Sequence, residues 1–160
     1  MYKRYAVEML KPSYLPPPSR NSHKSDNKII EKAYENFLKT DAAHAEKLDI
    51  RLALDYIHEN LLSDTLSVKD VIEKNNIKTH CFHDRFADEV TLNGNARRTP
   101  GEYITWARMQ VARRILEHGA CNMTDLGHAL GFNSYTTFWR AFRKHLGCKP
   151  SEAAKVNGKD

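Results

Sequence analysis

Apolar residues along this chain recur at helical spacing, and no stretch shows the strict alternation of a half-buried strand, so the pattern predicts an all-α protein. Ile29, Ile30, Ala33, Phe37 and Leu38 predict a short helix over 29–38. Leu54, Ile57 and Leu61 predict a clearer one from about Lys47 to Leu62, with Arg51, Asp55, His58 and Glu59 on its other faces. Ser67 followed by Asp70 is close to a capping box and opens a helix carrying Val71 and Ile72. Asn75-Asn76 supplies a turn, and Thr79 to Asp88 follows as a helix with Phe82 and Phe86 on its inner face.

Thr99-Pro100-Gly101-Glu102 is the strongest helix start in the chain, with an N-cap, a proline at the first helical position and an acid at the third. Tyr103, Ile104, Ala107, Val111, Ile115 and Leu116 then hold one apolar face as far as His118, and Gly119 can end the helix as a left-handed cap. Asn122 or Thr124 caps the next helix, which carries Leu126 and Leu130. Gly131 turns the chain sharply, and Ser134 to Leu146 forms a helix with Phe138 and Phe142 inside. Gly147 ends it before Pro150-Ser151-Glu152 starts a short final one.

Two of these segments repeat. Asp70-Val71 and Ile77 fall on Asp125-Leu126 and Phe132 at an offset of 55, and Phe82 and Phe86 fall on Phe138 and Phe142 at 56, one extra residue lying in the second turn. Helix, tight turn and helix, twice over, make a duplicated helix-turn-helix pattern. The helix between them, from Pro100 to His118, should span roughly 28 Å at ~1.5 Å per residue. Successive major-groove faces on one side of B-DNA lie about 34 Å apart, so such a spacer suits two reading helices in neighbouring groove segments.

The first stretch differs. Pro12, Pro16-Pro17-Pro18 and the polar run Ser19 to Ser25 cannot bury enough apolar area to fold alone. Residues 1–46 therefore read as a tail with a short helix, ahead of a domain over 47–156 and a tail over 157–160. Within that domain lie a first helix-turn-helix at about 66–90, a linker helix at 100–118 and a second helix-turn-helix at 123–146.

Charge sharpens the picture. The chain has 25 Lys and Arg against 20 Asp and Glu, a net charge of +5. From Ala96 onward eleven basic residues face five acidic ones, so the basic character that suits a polyanionic partner is concentrated in the C-terminal part. Cys81, Cys121 and Cys148 lack the spacing of a disulfide framework or a zinc module and fit a reducing cytoplasm. No run is long and apolar enough for a membrane span, and no export signal is evident. His80 and His83 share a helix face, but Cys81 points elsewhere and no fourth ligand follows, so no metal site is expected. No nucleophile, base and oxyanion set assembles from the spacing, and neither enzymatic activity nor a cofactor is expected.

Pro100-x-Glu102-Tyr103-Ile104, Arg108, Ala112, Asp125-Leu126, Leu130-Gly131-Phe132, Phe138, Phe142-Arg143-Lys144, Gly147 and Pro150-Ser151-Glu152 together closely resemble the DNA-binding domain of the AraC/XylS family of bacterial transcription regulators. The similarity covers about Leu48 to Lys155. It implies a two-lobed domain of about seven helices, in which a long middle helix joins two helix-turn-helix units facing one side of DNA. Ile72 and Gly127 stand where the family usually has Ala, Asn76 replaces a common Gly, and Lys149 replaces a common Thr. The connection from Ala87 to Thr99 is about six residues longer than usual, which makes it an expected mobile loop. The stretch before Leu48 is too short for the sugar-binding barrel of full-length members, so an effector site is not expected.

On the second reading helix, with Phe138 inward, the outer face holds Thr136, Arg140 and Arg143, with Trp139 to one side. Arg140 suits guanine N7 and O6, and Thr136 can offer a hydroxyl or a methyl; Trp139 either meets a thymine methyl or packs under the lobe. Tyr135 joins this base-reading set. Arg143, Lys144 and Ser134 are expected at phosphates, as are Arg97 and Arg98 on the long connection. Arg108 either bridges helices or reaches phosphate. The matching positions of the first reading helix are His80, Asp84 and Ala87, with His83 to one side. From Leu66 to Val90 four basic residues face five acidic ones, so this lobe is poorly charged for phosphate. Asp84 either accepts from cytosine N4 or repels the backbone.

The expected partner is double-stranded DNA, bound by a monomer or by a weak dimer formed through the N-terminal segment, with the second lobe dominant. The family implies activation through contact with RNA polymerase. The alternative is an interaction protein of the same fold, an anti-regulator or partner-dependent factor, whose acidic first lobe serves protein contacts.

Overall fold

A computed structural model describes residues 24–90, 96–118, 122–150 and 152. Among them are seven helices and no strand: α1 (Lys24–Thr40), α2 (Leu48–Glu59), α3 (Val68–Lys74), α4 (Phe82–Glu89), α5 (Pro100–Leu116), α6 (Met123–Ala129) and α7 (Tyr135–Leu146). The all-α expectation, with two helix-turn-helix units joined by one long helix, is met. Of the final short helix only Pro150 and Glu152 are described; the chain before Lys24, residues 91–95 of the lengthened connection, Gly119 and Cys121 lie outside the described residues.

The helix starts follow from their caps. At α3 the Ser67 hydroxyl accepts from the Asp70 amide and the Asp70 carboxylate accepts from the Ser67 amide. Thr99 and Glu102 do the same at α5, where Pro100 takes the first helical position. Asn122, rather than Thr124, caps α6 by accepting from the amides of Thr124 and Asp125. Ser134 caps α7, and Gly147 closes it in the left-handed region at φ 75°.

The duplication holds through the left-handed corner of each turn, and the extra residue of the second copy lies after it, between Phe132 and Phe138. The Ile77 amide donates to Ile72 O and the Phe132 amide to Gly127 O, each at 3.0 Å, and each turn needs a left-handed residue just before: Asn76 at φ 51° and Gly131 at φ 79°. Asn tolerates that region at modest cost, so the substitution of the family's glycine leaves the turn intact. Val71, Ile77, Phe82 and Phe86 are buried in the first unit, as are Leu126, Phe132, Phe138 and Phe142 in the second.

The copies part company at the second helix. Three helical residues, Tyr135 to Thr137, precede Phe138 in α7, whereas Phe82 is the first residue of α4. Cys81 sits at φ 54°, which breaks the helical path and leaves Thr79, His80 and Cys81 in a turn. The expected helix start at Thr79 is thus moved three residues downstream.

The helix α1 is longer than its apolar stripe. Ala33, Tyr34, Phe37 and Leu38 are buried, and the helix lies along α5 as the most extensive helix pairing among the described residues. Phe37 meets Trp106 edge-on at 5.9 Å, and Arg114 of α5 pairs with Asp41 and donates to the Thr40 hydroxyl at 2.9 Å. A buried polar chain closes the joint. The Ala43 amide donates to the Tyr103 hydroxyl at 3.0 Å, that hydroxyl lies 2.7 Å from His58 Nε2, and the Tyr34 hydroxyl donates to His58 O. A single core runs through all seven helices.

Candidate nucleic-acid interface

The second helix of the second unit, α7, is fixed from behind. Phe138 packs between Phe132 at 5.6 Å and Phe142 at 5.5 Å, both edge-on. Gly127 makes that seat possible, because a Cβ at its position would lie 3.0 to 3.3 Å from Phe138. The opposite face, with Thr136, Arg140, Arg143 and Lys144, is exposed, as are Tyr135, whose ring meets Phe138 at 6.1 Å, and Thr137 at its flanks. Thr136 and Arg140 are one turn apart and point away from the core, while Trp139 is half-buried with the Arg143 guanidinium 5.5 Å over its ring. Trp139 thus combines packing with a reachable edge. The Ser134 hydroxyl is occupied as the N-cap and in a 2.9 Å bond with Thr137. Among the described residues, Arg140, Arg143 and Lys144 belong to no ion pair, so their charge faces solvent.

The corresponding helix of the first unit, α4, carries the opposite charge. His83 and Asp84 are exposed on α4, and His80 is exposed in the turn before it. Arg97 donates from Nε to Asp88 at 2.9 Å and from Nη2 to Asp84 at 3.4 Å. Arg85 is turned to Asp49 at 2.8 Å and to Lys78 O at 3.2 Å. Both arginines of this lobe therefore answer carboxylates within the fold. Glu89 is likewise bound, accepting from the amides of Glu46 and Lys47 and pairing with Lys47, which holds its carboxyl below the usual range.

Arg98 and Arg108 sit between the lobes. The Arg98 guanidinium lies 5.0 Å over Trp106 and donates to Ala96 O. Arg108 is buried, with 7% exposure, and donates from Nε to Leu61 O at 2.8 Å, from Nη1 to Gly131 O at 2.9 Å and from Nη2 to Ser63 O at 2.6 Å. Its place is the bridge between helices. Phosphate contact, the other expectation for it, would strip three carbonyls of their donor and is not compatible with this geometry. Burial lowers its pKa to about 10, which leaves it charged at neutral pH. The part played by Gly131 O in holding this charge had no signal in the sequence, where Gly131 reads only as a turn.

Residues 89–155 match the family described as a helix-turn-helix domain, a span that runs from the end of α4 through α7. This span lies within the stretch over which the chain resembles the AraC/XylS family. Similar proteins include the lactose operon transcription activator of Staphylococcus xylosus, 29% identical over 104 residues, or 65% of this chain and 35% of that protein. The transcriptional activator RhrA of Rhizobium meliloti is 26% identical over 102 residues, 62% of this chain and 30% of its own length. The virulence regulon transcriptional activator VirF of Yersinia enterocolitica is 31% identical over 55 residues, 34% of this chain and 20% of its own. The chain thus spans about a third of the length of the first two of these relatives. No solved structure matches it. No helix among the described residues is long and apolar enough to cross a membrane.

Proposed function

We propose that this chain is a sequence-specific, non-catalytic DNA-binding transcription regulator that sets α4 and α7 toward successive major-groove segments, with α7 supplying most of the grip. The carrying observation is the exposed face of α7, where Thr136 and Arg140 project from a helix pinned by Phe138 and Phe142, with Arg143 and Lys144 beside them. Arg140 and Thr136 read bases, with Tyr135 and the edge of Trp139 flanking them, and Arg143 and Lys144 hold phosphates. Ser134 contributes at the phosphate through the start of α7. Arg98 also faces phosphate from between the lobes, and Arg97 does so only by leaving Asp84 and Asp88. The names of the relatives support a role as activator, and in this proposal the chain works in the cytoplasm through contact with RNA polymerase.

Selection of bound sequences from a random duplex pool tests this, followed by titrations across ionic strength. Arg140→Ala should lose about 1 to 3 kcal/mol on the selected sequence and relax preference at one base pair, while Lys144→Ala should weaken selected and random duplexes alike. Equal effects from both changes would refute the assignment of roles.

The exposed carboxylates of Asp84 and Asp88 favour a second reading, in which the first lobe docks a basic protein surface. That reading forecasts selected-sequence binding no tighter than random-sequence binding at physiological salt.

A further inference from the structure

Three backbone carbonyls that belong to two different lobes converge on one guanidinium. Leu61 and Ser63 lie at the start of the segment that leaves α2, and α2 packs against α3 and α4 of the first lobe. Gly131 is the left-handed corner between α6 and α7 of the second. Arg108 stands on α5 between them, with its guanidinium also 5.4 Å over the ring of Phe132, the residue after that corner.

The fit leaves no slack. A Cβ on Gly131 would come within 2.8 Å of Arg108 Nη2, 2.8 Å of Ser63 O and 2.9 Å of Leu62 O. The corner of the second helix-turn-helix therefore lies flush on the chain leaving α2, and the planar fork of Arg108 sets both the distance and the direction of that contact. An ammonium could not reproduce it, since three carbonyls spread around a plane do not match the donors of a lysine.

We propose that Arg108 is the positioning residue that locks the two lobes in one mutual orientation and thereby fixes the half-site spacing the protein accepts. The spacing clause rests on the DNA-binding function proposed above; the lock itself does not. Moving one half-site by a single base pair displaces it by about 3.4 Å and rotates it by about 34° on the duplex. A locked pair of reading helices cannot follow both changes, whereas an unlocked pair can.

Two measurements on the full chain test this. Spin labels on exposed Cys81 of the first lobe and on H128C of the second, with Cys121 and Cys148 changed to Ser, report the inter-lobe distance without DNA. The parent should give one narrow distance distribution, and R108K a broad or split one. G131A, which keeps Arg108 but drives a methyl group into the contact, should also broaden or displace it, and it serves as the second variant should R108K not fold.

Binding to duplexes carrying the selected half-sites at their native spacing and one base pair wider then reads the consequence. The parent should lose about tenfold or more on the wider duplex, and the variants should lose less than about threefold while keeping their affinity for a single half-site. Unchanged distance distributions in folded R108K and G131A would overturn the lock, and variants weakened equally at every spacing would overturn its role in spacing. Should the parent itself prefer no sequence, the DNA-binding function falls while the distances still decide the lock.

Discussion

Gly127 and His58 show how much single side chains decide in this fold. Gly127 stands where the family usually has alanine, and Phe138 explains it, since the ring is fully buried between Phe132 and Phe142 and has nowhere to retreat from a Cβ at 3.0 Å. Gly127→Ala should therefore cost about 1 to 3 kcal/mol in denaturant unfolding despite its better helix propensity. His58 is buried, and its burial drives its pKa down to about 3 from the ordinary 6.5. The neutral ring takes the Tyr103 hydroxyl proton at Nε2, an assignment that follows from the Ala43 amide already donating to that oxygen. Between about pH 6.5 and pH 3 the unfolded chain carries a proton on this residue that the native state does not. Stability should accordingly fall as pH drops through that window, by at most about 1.4 kcal/mol per pH unit from this group, and His58→Asn should flatten the slope.

At the scale of elements, the sequence disclosed what local chemistry controls. Ser67, Thr99 and Ser134 marked their helix starts to within a residue, and Asn122 or Thr124 marked that of α6 to within two, because a cap is a bond between near neighbours. The paired phenylalanines exposed the duplication for the same reason, as each pair lies on one helical turn. Two features stayed hidden. The left-handed backbone of Cys81 shortens α4, and nothing in Cys as a residue type signals that conformation. The importance of α1 was also invisible: the spacing of Ala33, Phe37 and Leu38 foretold a helix, but periodicity names an apolar face without naming what covers it. Since that cover is α5, Phe37→Ala should destabilise the whole domain by about 3 to 5 kcal/mol, measured by denaturant unfolding, which a residue of a loosely attached tail would not do.

Over the whole molecule, charge is divided rather than spread. The outward cations of α7 are unpaired among the described residues, while Arg85 and Arg97 of the first lobe are engaged by Asp49, Asp84 and Asp88. The slope of log affinity against log salt should fall by about one on Lys144→Ala, and remain nearly unchanged on Arg97→Ala. A larger effect from Arg97 would mean that it leaves its carboxylates for the duplex. The exposed reading face of α7 was legible from helical periodicity alone, because Phe138 and Phe142 define its inside. The fate of Arg97 and Arg108 was not, since each is decided by partners 9 to 47 positions away in the chain.

The continuous core also determines how this protein can be cut. A fragment beginning at Leu48 would bare the side of the connecting rod now sheathed by Phe37 and Tyr34, and a fragment ending near His118 would leave Arg108 with a buried charge and one unmet neighbour. Neither half is a module that evolution or an engineer could transplant intact: the smallest portable unit extends from the start of α1 to the end of α7.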